Sequence, residues 1–181
     1  IMPHKLQNKY WRICLLLMLC MSPFGAYANI VKEYPMSDST SYISLITCTP
    51  GDDLYARYGH TALRVYAPQT NIDWIFNYGI FDFNTDFFYW KFVRGETWYQ
   101  LGIDYTHHFL ATYAHNGRKV YEQILNLSSS QKQVLYDALV TNYQPQNRYY
   151  LYNFVYDNCA TRPFSLIKQS LGVEQLVSTY K

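Results

Sequence analysis

The run Tyr156-Asp157-Asn158-Cys159-Ala160-Thr161-Arg162-Pro163 marks the point where an extended, aromatic segment gives way to a helix. Asp157 or Asn158 is a suitable N-cap, and Pro163 stands in the first turn, where its missing N–H costs little. The sequence therefore predicts that Cys159 opens a helix. Free N–H groups and the helix dipole at such a terminus lower the pKa of a thiol and favour the reactive thiolate.

A histidine that could activate this thiol lies upstream in Tyr58-Gly59-His60-Thr61-Ala62-Leu63-Arg64-Val65, at the start of a strand-like run. A histidine within hydrogen-bond reach could take the thiol proton and later return it to a leaving group. The two segments together predict a thiol nucleophile site. Its chain order is histidine first and cysteine second, the reverse of the papain order.

Several neighbours of the two residues are candidates for supporting roles. We expect the backbone N–H of Cys159 and those of Asn158 and Ala160 to form part of an oxyanion hole. Arg162, one turn further along the helix, could add positive potential, and the turn Tyr58-Gly59 leads into His60.

A third group normally orients the imidazole of such a pair, and two residues are candidates for it. Asp73 and Asn77 share one face of the strand that follows His60, because side chains alternate between the two faces of a strand. The pattern leaves the choice between the carboxylate and the amide open.

The N-terminal residues predict export. Lys5, Lys9 and Arg12 precede a short apolar run that ends in Ala26-Tyr27-Ala28, which is typical of a secretory signal peptide. We therefore expect residues 1–28 to be a signal peptide and residues 29–181 to be a single exported domain of 153 residues, with its core at about 42–172. The predicted location is periplasmic, with association at the membrane surface as an option.

Charge and histidine spacing argue against two kinds of partner. The chain has 15 Lys and Arg, of which three fall in the predicted leader, leaving 12 against 13 Asp and Glu. No basic patch results, so nucleic acid is not an expected partner. His107, His108 and His115 have no Asp or Cys that would complete a metal set, and no metal or other cofactor is expected.

The two cysteines outside the predicted leader allow a second interpretation. Cys48 and Cys159 could form one disulfide in an exported protein. Their surroundings differ, however, because Cys48 lies in an apolar strand, where a buried thiol packs well, and Cys159 lies in a polar stretch. The sequence favours free thiols and leaves the disulfide open.

The remaining pattern predicts an α+β fold, a small antiparallel sheet with helices packed on it. Strands are expected at Tyr42–Thr49, His60–Tyr66, Asp73–Tyr78 and Arg118–Leu125, with an extended segment at Tyr149–Val155. Helices are expected at Thr106–His115, after a cap among Ser128–Gln131, and from Cys159 to Gly172. Residues 80–100 are aromatic and irregular and are predicted to be a surface excursion with a substrate groove. Apolar stripes should bury Val134, Leu135, Ala138 and Leu139 on one helix and Phe164, Ile167 and Leu171 on the other.

Four segments in order resemble one bacterial family. They are Thr47–Tyr55, Tyr58–Val65, Asn77–Phe83 and Asp157–Arg162. The chain resembles the N-terminal periplasmic domain of a bacterial lipoprotein N-acyltransferase, which is similar to the permuted, NlpC-type papain-like superfamily that includes the lecithin:retinol acyltransferases. Relatives of this kind are expected to continue into a membrane-embedded region.

The resemblance implies a Cys–His thiol acyltransferase. Cys159 would take an acyl chain as a thioester from a lipid donor, with His60 as the base, and would pass it to an amine, in the family the α-amino group of a lipoprotein's N-terminal cysteine. A cell-wall amidase or peptidase of the same superfamily is the alternative enzyme. A non-catalytic module that binds lipid or glycan, with a Cys48–Cys159 disulfide, is the alternative outside enzymes. A lipid substrate predicts an apolar slot beside Cys159, and a peptide predicts a polar, charged cleft.

Overall fold

Six antiparallel strands form one sheet in this computed structural model, which describes residues 36–81 and 86–172. In chain order they are β1 (Tyr42–Cys48), β2 (His60–Ala67), β3 (Ile72–Phe81), β4 (Trp98–Tyr105), β5 (Val120–Ile124) and β6 (Tyr149–Leu151). Their order across the sheet is β5-β1-β2-β3-β4-β6. The described residues belong to a compact unit that begins at Pro35. The predicted signal peptide lies outside the described residues.

Four α-helices accompany the sheet in the described ranges. They are α1 (Phe88–Arg94), α2 (Thr106–His115), α3 (Ser129–Tyr143) and α4 (Thr161–Leu171). Phe109 of α2 packs in a buried cluster with Ile46, Ala62 and Ile75 on one face of the sheet. On the other face, Asn142 of α3 donates a hydrogen bond to the Tyr78 hydroxyl. The predicted α+β class with an antiparallel sheet is confirmed.

The sheet is irregular at one end of its central strands. Cys48 of β1 stands opposite His60 of β2, so the two side chains share a face. β2 pairs with β3 only from Leu63 to Ala67, and His60 and Thr61 lie beyond that pairing. The pairing of β3 with β4 shifts register between Asn77 and Ile80. His60 on β2 and Asn77 on β3 lie at this irregular end, whereas Asp73 lies in the regular pairing, opposite Tyr66.

The prediction of an irregular excursion over residues 80–100 is wrong where the structure describes it. β3 continues to Phe81, α1 occupies Phe88–Arg94, and β4 begins at Trp98. Tyr99 is buried and Trp98 is 64 % exposed, so the side chains of β4 alternate between its two faces, and the aromatic content of the whole segment had obscured this strand. Residues 82–85, including the Phe83 of the predicted groove, lie outside the described residues.

The segment between β6 and α4 is tighter than the sequence predicts. Only Tyr149–Leu151 of the expected extended segment is a strand. The side-chain oxygen of Asn153 accepts hydrogen bonds from the backbone N–H groups of Val155 and Tyr156, which turns the chain. The helix that follows begins at Thr161 and ends before Gly172, which adopts the left-handed conformation.

The two predicted helix stripes are partly wrong. On α3, Leu135 and Leu139 are buried as expected, but Val134 is exposed and Tyr136 takes its place in the core. On α4, the predicted Phe164 is 52 % exposed. Ile167 is buried as predicted, and Pro163 and Ser170 complete the buried face of α4 in place of Phe164 and Leu171.

Candidate active site

His60 is held at the start of β2 by a hydrogen bond to Asn77 of β3. The distance from Nε2 of His60 to Oδ1 of Asn77 is 2.8 Å. The backbone N–H of Gly79 donates to the same oxygen at 2.7 Å. Because that N–H can only donate, the Asn77 atom between the two groups is the acceptor, and Nε2 of His60 carries the proton. Nδ1 is therefore the ring nitrogen that can accept a proton.

The sheet makes room for this imidazole with a glycine. A Cβ at Gly79 would lie 2.4 Å from Cε1 of His60 and 3.1 Å from the side-chain oxygen of Asn77. No side chain larger than hydrogen fits there without moving the imidazole. The sequence Asn77-Tyr78-Gly79 thus supplies both the partner of His60 and the space that it occupies.

Burial lowers the pKa of His60 to about 4, the bond with Asn77 opposes this shift, and the positive charge of Arg118 adds to it. Removing an imidazolium from water is unfavourable unless a negative charge compensates it. His60 is therefore neutral at pH 7 and can act as a proton acceptor.

Asp73, the other candidate to orient His60, is engaged elsewhere on β3. Its carboxylate accepts bidentate hydrogen bonds from Arg64 at 2.7 and 3.0 Å and one from the Thr106 hydroxyl. Arg64 also binds Glu122 of β5 at 3.0 Å. Asp73 therefore belongs to an ion-pair network across the sheet, and it is Asn77 that binds His60.

Cys159 is a free, partly buried thiol that lies just before α4. Burial raises its pKa, while the backbone N–H groups of Thr61 and of Cys159 itself donate to the sulfur and oppose the rise. The expected lowering of the pKa by a helix N-terminus is wrong in direction. The helix begins at Thr161 with Ala160 as its N-cap, so Cys159 precedes the helix, and burial outweighs the N–H groups that reach the sulfur.

The predicted oxyanion-hole donors Asn158 and Ala160 already have partners. The backbone N–H of Asn158 donates to the Thr161 hydroxyl at 2.8 Å, and that of Ala160 donates to the side-chain oxygen of Asn158 at 2.9 Å. The amide nitrogen of Asn158 donates to the Phe154 carbonyl. Asn158 thus fixes the turn that carries Cys159. The N–H groups that face the sulfur are those of Thr61 and Cys159.

Arg162 also has a structural role instead of the predicted electrostatic one. Its guanidinium binds both carboxylate oxygens of Asp157, at 2.5 and 2.7 Å, and lies 3.8 Å from the ring centre of Tyr150. This ion pair balances the charge of Arg162 locally.

The turn before β2 places Tyr58 and Gly59 beside the site. Gly59 has a φ of +76°, and a Cβ there would lie 2.7 Å from the carbonyl oxygen of Cys48. Tyr58 is 77 % exposed, and its ring meets Phe154 edge-on at 4.9 Å. Both residues line the cavity described below.

Cys48 is free as well, so the two cysteines do not form the alternative disulfide. Burial raises the pKa of Cys48 to about 11, and a hydrogen bond with Tyr113 and the charge of Arg118 oppose that rise. Cys48 is therefore an inert, buried thiol on the strand next to His60.

One cavity of about 320 Å³ brings these groups together. His60, Thr61, Asn77, Gly79, Asn158, Cys159 and Ala160 line it, with seven aromatic rings from Tyr55, Tyr58, Phe81, Tyr99, Tyr113, Tyr152 and Phe154. Several of the rings pack directly on each other, as Tyr99 does on Tyr152 at 4.3 Å between ring centres. Arg118 is the charged residue of this wall.

A comparison with protein-family models matches residues 27–179 to the Lnb N-terminal periplasmic domain. The chain belongs to this family. The Lnb N-terminal domain is periplasmic, so the protein is exported as predicted. The chain matches no curated protein and no solved structure.

Three residues of this Lnb N-terminal domain were missed by reasoning from sequence. Thr61 acts through its backbone N–H, which carries no side-chain signal. Gly79 lies in the segment Asn77–Phe83, but the sequence does not indicate that it makes room for the imidazole of His60. Arg118 follows the helix-ending pair Asn116-Gly117 and was assigned to a strand, although it reaches the cavity wall. The sequence contains one signal for these residues. Gly79 lies two positions after Asn77, on the strand next to His60, and a glycine there indicates a close approach of a neighbouring side chain.

Residues 36–81 and 86–172 contain neither a metal-binding cluster nor a membrane-spanning helix. They hold no group of three or more His, Cys, Asp or Glu side chains that could bind a metal ion. None of the helices formed by these residues is long and apolar enough to cross a membrane.

Proposed function

We propose that this Lnb N-terminal domain is a Cys–His thiol acyltransferase of the permuted papain-like type. Its substrate would be a lipid acyl donor, and its acceptor the α-amino group of a lipoprotein's N-terminal cysteine. One observation carries the proposal: the free thiol of Cys159 and the His60–Asn77 pair line the same cavity.

The first half-reaction forms a thioester. Sγ of Cys159 attacks the ester carbonyl carbon of the donor, and the thiol proton moves to Nδ1 of His60. The C–O bond then breaks, and His60 returns the proton to the departing alcohol. The N–H groups of Thr61 and Cys159, which already face the sulfur, are the donors best placed to stabilise the developing negative charge.

The second half-reaction releases the acyl chain. A neutral amine attacks the thioester carbonyl carbon, a C–N bond forms and the C–S bond breaks. His60 takes a proton from the amine and gives it to the departing thiolate, which restores the starting state.

The lining of the cavity supports a lipid donor over a cell-wall peptide. Seven aromatic rings surround the thiol, and Arg118 is the charged side chain on this wall. A peptidoglycan stem would call for a more polar and charged cleft. Exposed rings at Tyr89, Trp90 and Trp98 are of the kind that sits at membrane interfaces and support contact with a lipid surface.

Mass spectrometry of the intact protein tests this function. After incubation with phospholipid vesicles, the wild type should gain the mass of one acyl chain, and Cys159→Ala should not. Cys48→Ala is the matched control, since it removes the other described thiol and should still be acylated. A peptide with a free N-terminal cysteine amine and a blocked side chain should then remove the adduct and gain it as an amide.

The same experiment separates the alternatives. Cleavage of a peptidoglycan stem peptide without a lipid adduct would favour the amidase. A folded, fully reduced protein whose Cys159 reacts with neither lipid nor iodoacetamide would rule out catalysis and leave a binding module.

A further inference from the structure

Arg118 is fixed in place by three contacts that do not use its whole guanidinium. Its Nε donates to the carbonyl oxygen of Thr49 at 2.8 Å. The guanidinium lies 4.5 Å from the ring centre of Tyr113. Its Cδ passes over Gly51, where a Cβ would come within 3.1 Å. The side chain is therefore held in one orientation before any ligand arrives.

One end of this guanidinium has no partner within the described residues. Nη2 of Arg118 is buried and makes no hydrogen bond there. Asp52 and Asp53 share a neighbouring cavity with Arg118, but neither forms an ion pair with it, and Asp53 accepts a hydrogen bond from the Tyr55 hydroxyl instead. A buried, charged donor without an acceptor is costly and rare in native proteins.

Arg118 lies beside the thiol and the imidazole. Arg118 lines the cavity that contains Cys159 and His60, and its charge acts on the imidazole of His60. A molecule that places an acyl carbonyl at the sulfur therefore meets this guanidinium on the same wall. The fixed fork of arginine suits the oxygens of a phosphate or carboxylate.

We propose that Arg118 forms an anion subsite beside the thiol, which binds the phosphate of a glycerophospholipid acyl donor. The choice of phosphate rests on the proposed function, because the esters of such a donor lie a few bonds from its phosphodiester. The subsite itself rests on the geometry of Arg118 alone. A bound phosphate would also cancel the charge that disfavours the imidazolium of His60, so donor binding would make His60 a stronger base.

The subsite can be tested without any acyl transfer. Cys159 is alkylated with iodoacetate, which carries a carboxylate, and separately with neutral iodoacetamide, in a Cys48→Ala background. The measured quantity is the rate with iodoacetate divided by the rate with iodoacetamide. Arg118→Gln should lower this ratio about tenfold, the scale of a lost charge-assisted hydrogen bond. Arg118→Lys should give an intermediate ratio, because it keeps the charge and loses the fork.

The matched control is Arg57→Gln, which removes the same charge from an exposed arginine that does not line the cavity. It should leave the ratio unchanged. The wild type also provides a test that does not depend on the folding of a variant. Inorganic phosphate should slow iodoacetate more than iodoacetamide, and sodium chloride of equal ionic strength should not. An unchanged ratio in folded Arg118→Gln, or no effect of phosphate on the wild type, would overturn the subsite.

The identity of the donor is tested by comparing phosphatidylglycerol with diacylglycerol in the same detergent micelles. The wild type should form the Cys159 adduct faster with phosphatidylglycerol, and Arg118→Gln should lose that preference. Equal rates for both lipids in the wild type would contradict binding of the lipid phosphate. If neither lipid gives an adduct, the proposed acyl transfer fails, and the alkylation ratios still judge the anion subsite.

Discussion

At the scale of single residues, the candidate site combines groups that a sequence displays with groups that it hides. Cys159 and His60 stand out in the sequence because a thiol or an imidazole in a polar segment often has a chemical role. Strand alternation narrows the residue that orients His60 to two candidates, Asn77 and Asp73. Thr61 contributes a backbone N–H, and every residue except proline has one, so no pattern points to it. Arg118 lies 41 positions before Cys159 in the chain and is brought to the cavity only by the pairing of β5 with β1.

The hydrogen bond between Asn77 and His60 predicts a separation of roles on β3. Asn77→Ala should slow formation of the Cys159 adduct by roughly a hundredfold, because the imidazole loses the partner that fixes its tautomer. Asp73→Asn should leave that rate within about twofold, since Asp73 binds Arg64 and Thr106. The measurement is the single-turnover rate of acylation followed by intact mass.

The control for this pair is fold integrity, checked by circular dichroism and thermal melting. Asp73→Asn weakens an ion pair and serves as the matched β3 variant. If Asp73→Asn formed the Cys159 adduct slowly and Asn77→Ala formed it at the wild-type rate, the carboxylate of Asp73 would be the group that acts on His60.

At the scale of elements, the predictable features are those with a strong local signal. The cap predicted among Ser128–Gln131 is Ser128, which forms a capping box with Gln131, and Asn116-Gly117 ends α2. β4 was missed although Tyr99, Leu101 and Ile103 alternate with Gln100, Gly102 and Asp104 along it, because the aromatic residues before it made the whole of residues 80–100 look irregular. The sequence predicts that α4 begins at Cys159, whereas the helix begins at Thr161. Asn158 caps the N–H groups of Ala160 and Thr161, so the cap lies in the turn before the helix.

Asn158 should therefore be a stability determinant and not a catalytic group. It caps two N–H groups, those of Ala160 and Thr161, and anchors the Phe154 carbonyl. Asn158→Ala should lower the free energy of unfolding by about 2–4 kcal/mol, the sum of a lost cap and buried groups left without partners. Urea denaturation is the measurement.

Ser128→Ala provides the comparison, because it removes an exposed cap on α3 far from the thiol in sequence. It should cost about 1 kcal/mol and leave alkylation of Cys159 unchanged. Asn158→Asp keeps the acceptor and should retain most of the cap. Equal losses for Asn158→Ala and Ser128→Ala would contradict the proposed role of Asn158 in fixing the Cys159 turn.

At the scale of the whole molecule, the stability of the fold and the chemistry of the site are linked through one buried imidazole. The sheet closes one face over an apolar cluster, and His60 lies at its edge, opposite Cys48. The same burial that keeps His60 neutral for proton transfer must oppose its protonation in acid. The antiparallel class of the fold was predictable from alternation and turns, but this burial depends on how the strands are arranged in the sheet.

The domain should consequently lose stability on acidification before its carboxylates titrate. Folding lowers the pKa of His60 from 6.5 to about 4, so between these values the unfolded chain binds more protons than the folded one. The free energy of unfolding then falls as the pH drops through this window, by up to about 3 kcal/mol at 1.36 kcal/mol for each pKa unit. Burial raises the pKa of Asp73, but its hydrogen bonds from Arg64 and Thr106 and its ion pair with Arg64 together hold that pKa below 3.8, so Asp73 loses its contribution only at lower pH. Urea titrations at pH 7, 5.5 and 4 should show the decrease in the free energy of unfolding with falling pH in the wild type. The control variant His115→Gln, which replaces an exposed histidine at the end of α2, should show the same decrease. His60→Gln should show a smaller decrease, and an equal decrease in His60→Gln would mean that other groups cause the acid sensitivity.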